Sequence, residues 1–118
     1  MQSVPFVATN KTFTGKKVAL YTEGHPVKLT GQVDSGQTFP IEAGTVLGKI
    51  AATGKLGVYD DTSEVGLAVA VGILEDQIDD LGRDQIVSYI VHGFVYEASC
   101  VGLDANAKTD LAGKVYFI

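Results

Sequence analysis

Residues 48–56 contain the glycines and lysines of a candidate phosphate-binding loop, reading G-K-I-A-A-T-G-K-L. In such a loop the backbone N–H groups surround the phosphates, and a Ser or Thr directly after the Gly-Lys pair of the motif holds magnesium. Here the glycines are spaced one residue too far apart, and Leu56 stands where the hydroxyl is required. A Gly-Lys turn between two strands explains the segment better. The sequence contains no G-x-G-x-x-G pattern, so no nucleotide cofactor is expected.

The metal-binding residue types are few and scattered. His25 precedes Pro26, which favours an extended or turn position. His92 lies in a strongly apolar segment, where we expect a hydrogen-bonded structural histidine. Together with the single cysteine, Cys100, these histidines match no zinc-site spacing, so no metal cofactor is expected.

Five carboxylates fall within ten residues in the segment 75–84: Glu75, Asp76, Asp79, Asp80 and Asp84. Their spacing does not match the calcium loop of an EF-hand, and no neighbouring residue completes an acid–base pair. We expect a solvated acidic loop, and cation binding by this loop stays open.

Nucleophilic catalysis finds no support in the local sequence. There is no G-x-S-x-G elbow, and Cys100 follows a predicted strand, where a small buried side chain is the expected role. An enzyme would need residues that are distant in sequence, such as His92, Glu97 and Asp104, to meet in a pocket. The residue pattern therefore predicts a binding or structural protein and not an enzyme.

Composition narrows the class of partner. The chain has 118 residues, one domain's worth, with 14 acidic and 9 basic residues and a net charge of −5. An acidic chain without a basic stripe is a poor ligand for nucleic acids and for anionic membranes. No signal peptide is visible, and the longest apolar run, residues 66–74, is far shorter than the roughly 20 residues of a membrane helix. We expect synthesis in the host cytoplasm.

The dominant hydrophobic period is two, which predicts strands. Apolar residues alternate with polar ones at Val27, Leu29 and Val33, and again over residues 39–43, where Pro40 indicates an edge strand. Two further strands are predicted over residues 86–96, with a bulge or bend at Gly93, and over residues 114–118. Turn signals separate all these segments.

The segment 65–74 predicts an unusual strand, with valine, leucine and isoleucine on one face and only small residues on the other. The small residues are Gly66, Ala68, Ala70 and Gly72. A bare face allows a second backbone to approach closely. We favour a tight internal layer, and the alternative is close approach of a neighbouring subunit.

Only one helix is predicted. Asp104 has the residue type of an N-cap, residues 105–111 form about two turns, and Gly113 lies just beyond the end. The segment 1–24 differs in composition from the rest of the chain, because it is rich in Thr and Lys and poor in large apolar side chains. The sequence thus predicts an N-terminal arm, residues 1–24, and one mainly β, glycine-punctuated domain, residues 25–118.

The order of features in the second part of the chain resembles that of the lambda-type phage head decoration proteins. The best-matching pieces are A-V-G-I-L at residues 70–74, G-F-V-Y at residues 93–96, and the ending of helix and strand. Each piece alone is weak, and their order and spacing carry the resemblance. It covers residues 38–118, whereas residues 1–37 show no close match to the arm of the lambda protein.

The resemblance implies a β-clip fold and a homotrimer on the outer surface of the expanded phage head, at three-fold and quasi-three-fold positions. The partner would be the major capsid protein, and the role would be to stabilise the shell against the pressure of packaged DNA. In such proteins the N-terminal arm tends to order only on the capsid. The implied location is the virion.

Two sets of contact residues follow as hypotheses. The capsid-binding arm would use the apolar residues Phe6, Phe13, Val18 and Leu20. The alternative is that residues 18–22 form the first strand of the domain. Candidates for the trimer interface are the bare face and the helix region, namely Gly66, Ala68, Ala70, Gly72, Asp104 and Leu111.

A competing class is a carbohydrate- or ligand-binding β module. Such a module usually presents aromatic side chains around a groove, and this sequence has no Trp to serve as a platform for a sugar ring. The five Tyr and five Phe lie mostly within strand patterns, which favours packing roles.

Overall fold

The structure is a computed structural model, and it describes residues 18–19, 26–79 and 85–118. Six strands, one α-helix and one 3₁₀ turn make up the described fold. Their bounds are β1 Val27–Val33, β2 Val46–Lys49, β3 Leu56–Val58, β4 Ala70–Leu74, β5 Gln85–Val95, the 3₁₀ turn Glu97–Ser99, α1 Ala105–Asp110 and β6 Val115–Phe117. The predicted mainly β domain with one short helix near its C-terminus is confirmed.

Five strands close into a small barrel. Their order is β1-β3-β2-β4-β5, and β1 pairs with β5 in antiparallel register to complete the ring. The strand β6 lies outside the ring and pairs in parallel with the end of β5, where Phe94 is opposite Tyr116. The last strand of the chain therefore extends the barrel wall at one end.

The long strand has a bulge two residues before Gly93, where the sequence predicts one, and continues to Val95. Along the β1–β5 pair, Val27 is opposite His92 while Lys28 is opposite Ile90, so β5 holds one extra residue at this point. Gly93 follows with a φ of 135°, a conformation that L side chains rarely adopt. As a result Ile90 and Val95 belong to the same core although they are five positions apart, an odd offset that would place them on opposite faces of a regular strand.

The barrel wall buries both of its faces, which gives two core clusters. One lies with α1 and contains Val18, Ala19, Ala43, Val46, Tyr59, Ala70, Ile73, Ile90, Val95, Ala107, Leu111 and Val115. The other contains Val33, Ile41, Leu47, Leu56, Leu74, Ile78 and Tyr89. Neighbouring residues such as Ile73 and Leu74 enter different clusters, which explains why β4 reads as a continuous apolar run.

The prediction that the apolar face of β1 is buried is wrong for most of the strand. Val27 and Leu29 are each 50% exposed, and only Val33 is fully buried. The reason is that β1 meets β3 only at Val33, opposite Leu56, so the rest of β1 forms a ribbon with β5. Among the described residues, no layer covers Val27 and Leu29.

The predicted strand over residues 39–43 is reduced to a single bridge. Ile41 exchanges two backbone hydrogen bonds of 2.9 Å with Ile78, and no ladder extends from it among the residues described. Pro40 has no N–H to donate, which prevents pairing on that side.

The predicted strand over residues 65–74 is half right. A regular strand begins only at Ala70, and Val65 and Val69 are 55% and 56% exposed in the loop before it. At Gly66 the φ is 112°, and a Cβ there would lie 2.4 Å from the carbonyl oxygen of Lys49. The loop therefore follows β2 closely without forming a ladder.

The helix prediction is confirmed. Asp104 is the N-cap of α1, and its Oδ1 accepts a hydrogen bond of 2.8 Å from the N–H of Ala107. The helix ends at Asp110 with Leu111 as C-cap, and Gly113 follows with a φ of 79°. Within the residues described, no helix is long and apolar enough to cross a membrane.

Candidate interaction surfaces

The side chains that sequence reasoning singled out for catalysis have separate partners. His92 is exposed, and its ring stands edge-on to the ring of Tyr116 with centroids 6.2 Å apart. The carboxylate of Glu97 pairs with Lys108 at 3.0 Å, and that of Asp104 caps α1. In the described ranges no three residues of the metal-binding types form a group that could hold an ion.

The acidic segment is tied to other polar groups where it is described. Glu75 forms an ion pair of 2.7 Å with Lys28, and Asp79 accepts a hydrogen bond of 3.1 Å from Gln77. Asp80 and Asp84 lie outside the described residues. Beside this segment lies an open hollow of about 290 Å³, lined by residues 76–79 and 85–88, and these lining residues form no nucleophile–base pair.

A polar network joins the barrel to α1. The hydroxyl of Tyr59 donates to Oδ1 of Asp104 at 3.0 Å, and Oδ2 of Asp110 accepts the N–H of Ala70 at 2.9 Å. Burial, with the neighbouring Asp104 carboxylate, raises the pKa of Tyr59 to about 12. The N–H of Ala107 and the Tyr59 hydroxyl lower the pKa of Asp104. The network therefore combines a protonated phenol with an ionised carboxylate, an arrangement that holds the helix in place.

An aromatic stripe lies on the outer face of the β5–β6 pair. It consists of His92, Phe94, Tyr116 and Ile118, and the last three are 37%, 45% and 53% exposed. The rings of Phe94 and Tyr116 are 5.4 Å apart at their centroids. Large apolar side chains that cluster in solvent are typical of an interaction surface.

A second apolar surface is the loop 60–69, which we term the valine loop. Val65 and Val69 project from it, and Asp60, Asp61 and Glu64 are exposed beside them. This surface combines apolar side chains with negative charge, unlike the aromatic stripe.

Val18 and Ala19 attach the N-terminal region to the domain. Both are buried, at 4% and 7% exposure, and Ala19 bridges Val95 in antiparallel register. The carbonyl of Val18 accepts the N–H of Tyr96 at 2.9 Å. Val18 thus packs in the core of its own domain, as the alternative of a first strand anticipates, while Phe6, Phe13 and Leu20 lie outside the described residues.

Comparison with known proteins decides the family. The model of the bacteriophage lambda head decoration protein D family matches residues 7–113. The chain belongs to this family. It is thus a phage head decoration protein with a structural role in the capsid, as the resemblance indicated. The match begins well before residue 38, so family similarity extends further toward the N-terminus than the sequence pieces suggested. None of the curated proteins compared matches the chain.

The candidate residues for the trimer interface of this decoration protein fall into two groups, one half-buried and one buried. Gly66 and Ala68 are half-buried in the valine loop, and Asp104 is half-buried in the network with Tyr59. Ala70, Gly72 and Leu111 are buried within the chain itself. A Cβ at Gly72 would lie 2.7 Å from the carbonyl oxygen of Ile90, so the bare face of β4 lies against the decoration protein's own β5.

Sequence reasoning missed the aromatic stripe and Tyr59. Phe94 and Tyr116 fall in predicted strands, where packing in the core was expected, and their exposure depends on the bulge before Gly93 and on the parallel β5–β6 register. Residues 114–118 read K-V-Y-F-I, so their sequence shows no polar–apolar alternation that would indicate an exposed face. Nothing in the sequence pairs Tyr59 with Asp104, which is 45 positions away.

Proposed function

We propose that this protein is a trimeric cement protein on the outer surface of the expanded phage head. It would bind the major capsid protein at three-fold and quasi-three-fold positions and stabilise the shell against the pressure of packaged DNA. The observation that carries the proposal is the family match over residues 7–113. The exposed apolar side chains of the aromatic stripe and the valine loop supply contact area of the kind that such a role needs.

Stabilisation in this proposal is mechanical. A trimer that grips neighbouring capsid subunits at several points must lose all those contacts before the subunits separate. Linked attachments convert modest single-site affinities into strong overall binding, because each further contact forms at high effective concentration. The small barrel with two cores is a suitable rigid body for this purpose.

The capsid-binding arm in this proposal lies before Val18. The packing of Val18 and Ala19 in the core argues that the domain begins there and that the preceding residues, with Phe6 and Phe13, are available for the capsid. An extended segment that adds a strand to a sheet edge of its partner gains main-chain hydrogen bonds along its length. This proposal places the boundary before Val18, whereas the composition of the sequence predicts it after residue 24.

The stabilising role is tested by heating DNA-filled heads that lack the protein, with and without added purified protein. Release of DNA, followed by dye fluorescence, should shift to higher temperature only when the protein is present. The same amount of heat-unfolded protein is the control. An unchanged release temperature despite bound protein would contradict the cement role.

A further inference from the structure

Two exposed apolar surfaces, one with acidic residues and the other with a lysine beside it, lie on different elements of the chain. The valine loop joins β3 to β4, and the aromatic stripe belongs to β5 and β6. We propose that the aromatic stripe of one copy docks on the valine loop of the next copy and so closes the trimer. This inference rests on the proposed trimer and adds which two surfaces meet.

The loop side of this contact is preorganised. Oδ1 of Asp60 accepts hydrogen bonds from both the backbone N–H and the hydroxyl of Thr62, at 3.0 and 2.7 Å. The N–H of Asp60 donates to the carbonyl of Leu67 at 2.9 Å, and the N–H of Ala51 donates to the carbonyl of Val65 at 2.8 Å. These bonds fix the backbone of the valine loop with Val65 exposed. Because the loop is already ordered, little conformational entropy is lost on binding, which favours association.

The stripe side is preorganised in the same way. The parallel pairing of Phe94 with Tyr116 fixes their backbones side by side, and their rings contact each other. The N–H of Ile118 donates to the carbonyl of Val95 at 2.9 Å, which fixes the backbone of this member of the stripe against β5. Aromatic side chains with few rotatable bonds are effective anchors in protein interfaces.

Charge complementarity identifies a second copy as the occupant. The valine loop presents Asp60, Asp61 and Glu64, whereas Lys114 is exposed next to Val115 and Tyr116 at the start of β6. A negative rim on one apolar surface and a positive residue beside the other favour contact between different surfaces and oppose contact of like surfaces. A cyclic trimer requires such a head-to-tail contact, in which each subunit offers two different patches.

The decisive experiment is a charge swap, with the molar mass in solution measured by light scattering over a range of concentrations. Glu64→Lys and Lys114→Glu, each alone, place like charges across the contact and should raise the dissociation constant of the trimer by about tenfold or more. The double variant E64K/K114E restores opposite charges and should return the dissociation constant to near the wild-type value. Asp79→Lys, on the acidic segment, makes the same charge change away from both surfaces and should leave the mass unchanged.

The outcomes separate this inference from the proposed function. If the wild-type protein is a trimer that binds capsids, and neither single reversal alters its mass, the two surfaces do not meet and the inference is wrong while the function stands. The inference is equally wrong if only removal of residues 1–16 dissociates the trimer, because the arm would then hold the copies together. A folded wild-type protein that fails to bind capsids instead overturns the proposed function.

Discussion

Oδ1 of Asp104 accepts two hydrogen bonds, one of 3.0 Å from the hydroxyl of Tyr59 and one of 2.8 Å from the N–H of Ala107. One carboxylate oxygen therefore joins the residue that follows β3 to the first turn of α1. Since the pKa of Tyr59 is raised to about 12, its phenol remains a donor at every pH at which the protein is handled. The short helix is stabilised by this link as well as by the burial of Ala107 and Leu111.

Removal of the phenol hydroxyl should loosen this link. We expect Tyr59→Phe to lower the free energy of unfolding by about 1 kcal/mol, the usual net contribution of one hydrogen bond. Urea unfolding followed by circular dichroism measures the change. Tyr116→Phe is the matched control, because Tyr116 is 45% exposed and its hydroxyl makes only a long contact of 3.5 Å with the carbonyl of Gly113. Equal losses in both variants would contradict the assigned role of Tyr59.

Acid should destabilise the protein through Asp104 and Asp60. The N–H of Ala107 lowers the pKa of Asp104, and hydrogen bonds from Thr62 lower that of Asp60. A carboxylate whose pKa is lower in the folded state binds fewer protons than in the unfolded state, so its stabilisation is complete above the unfolded value. This stabilisation is lost as the pH falls below about 4 and passes through the pKa that the carboxylate has in the folded state. The thermal midpoint should therefore drop in that range.

The variant Asp104→Asn tests whether the carboxylate of Asp104 causes this loss of stability in acid. Asp104→Asn keeps an N-cap residue type but cannot ionise, so its thermal midpoint should be lower than that of the wild type at pH 7 and fall less between pH 5 and pH 3. Asp34→Asn is the control, since the carboxylate of Asp34 accepts a hydrogen bond from the N–H of Gly36 in the turn after β1 and does not cap α1. A pH profile of Asp104→Asn parallel to that of the wild type would show that the carboxylate does not act as described.

A methyl group added to the bare face of β4 should lower the free energy of unfolding. In Gly72→Ala the new Cβ would lie 2.7 Å from both the Ile90 carbonyl oxygen and Cδ2 of Tyr89, so backbone or ring must move. We expect a loss of roughly 1–3 kcal/mol of stability, typical of overpacking. The control is Gly36→Ala, where the Cβ would meet only the flexible carboxylate of Asp34. A Gly72→Ala variant as stable as the wild type would contradict the close approach of β4 and β5.

The boundary between arm and domain predicts a sharp difference between two deletions. Deletion of residues 1–16 leaves Val18 and Ala19 in the core, so the thermal midpoint should stay unchanged while binding to capsids is lost. Deletion of residues 1–19 removes both buried residues and should lower the thermal midpoint as well. Undiminished capsid binding after the shorter deletion would show that the arm is not the capsid-binding element.

The parts of the fold that local sequence determines were predictable. The cap at Asp104 and the glycine after α1 are properties of a few adjacent residues, and so is the apolar run of β5. The predictions that were wrong concern packing between elements that are distant in the sequence. Val27 and Leu29 have the alternation of a half-buried strand, but no element in the described part of the chain packs over them, and β1 alone does not reveal this.

The interaction surfaces show the same limit. The small residues of the segment 65–74 indicated close approach of another backbone, and for Gly72 that backbone is β5 of the same chain. The exposure of Phe94 arises from one extra residue in β5, which changes which side chains point outward beyond Ile90. Alternation predicts a face only while the register is regular, so the stripe became visible only in three dimensions.

Co-sedimentation of the purified protein with expanded, undecorated capsids of its phage tests the central claim most directly, with light scattering of the free protein beside it. We expect a trimer in solution and saturable binding in multiples of three copies, with far weaker binding to unexpanded shells. A well-folded protein that stays in the supernatant at every concentration would contradict the decoration role, and soluble ligands and glycans would then be the partners to test.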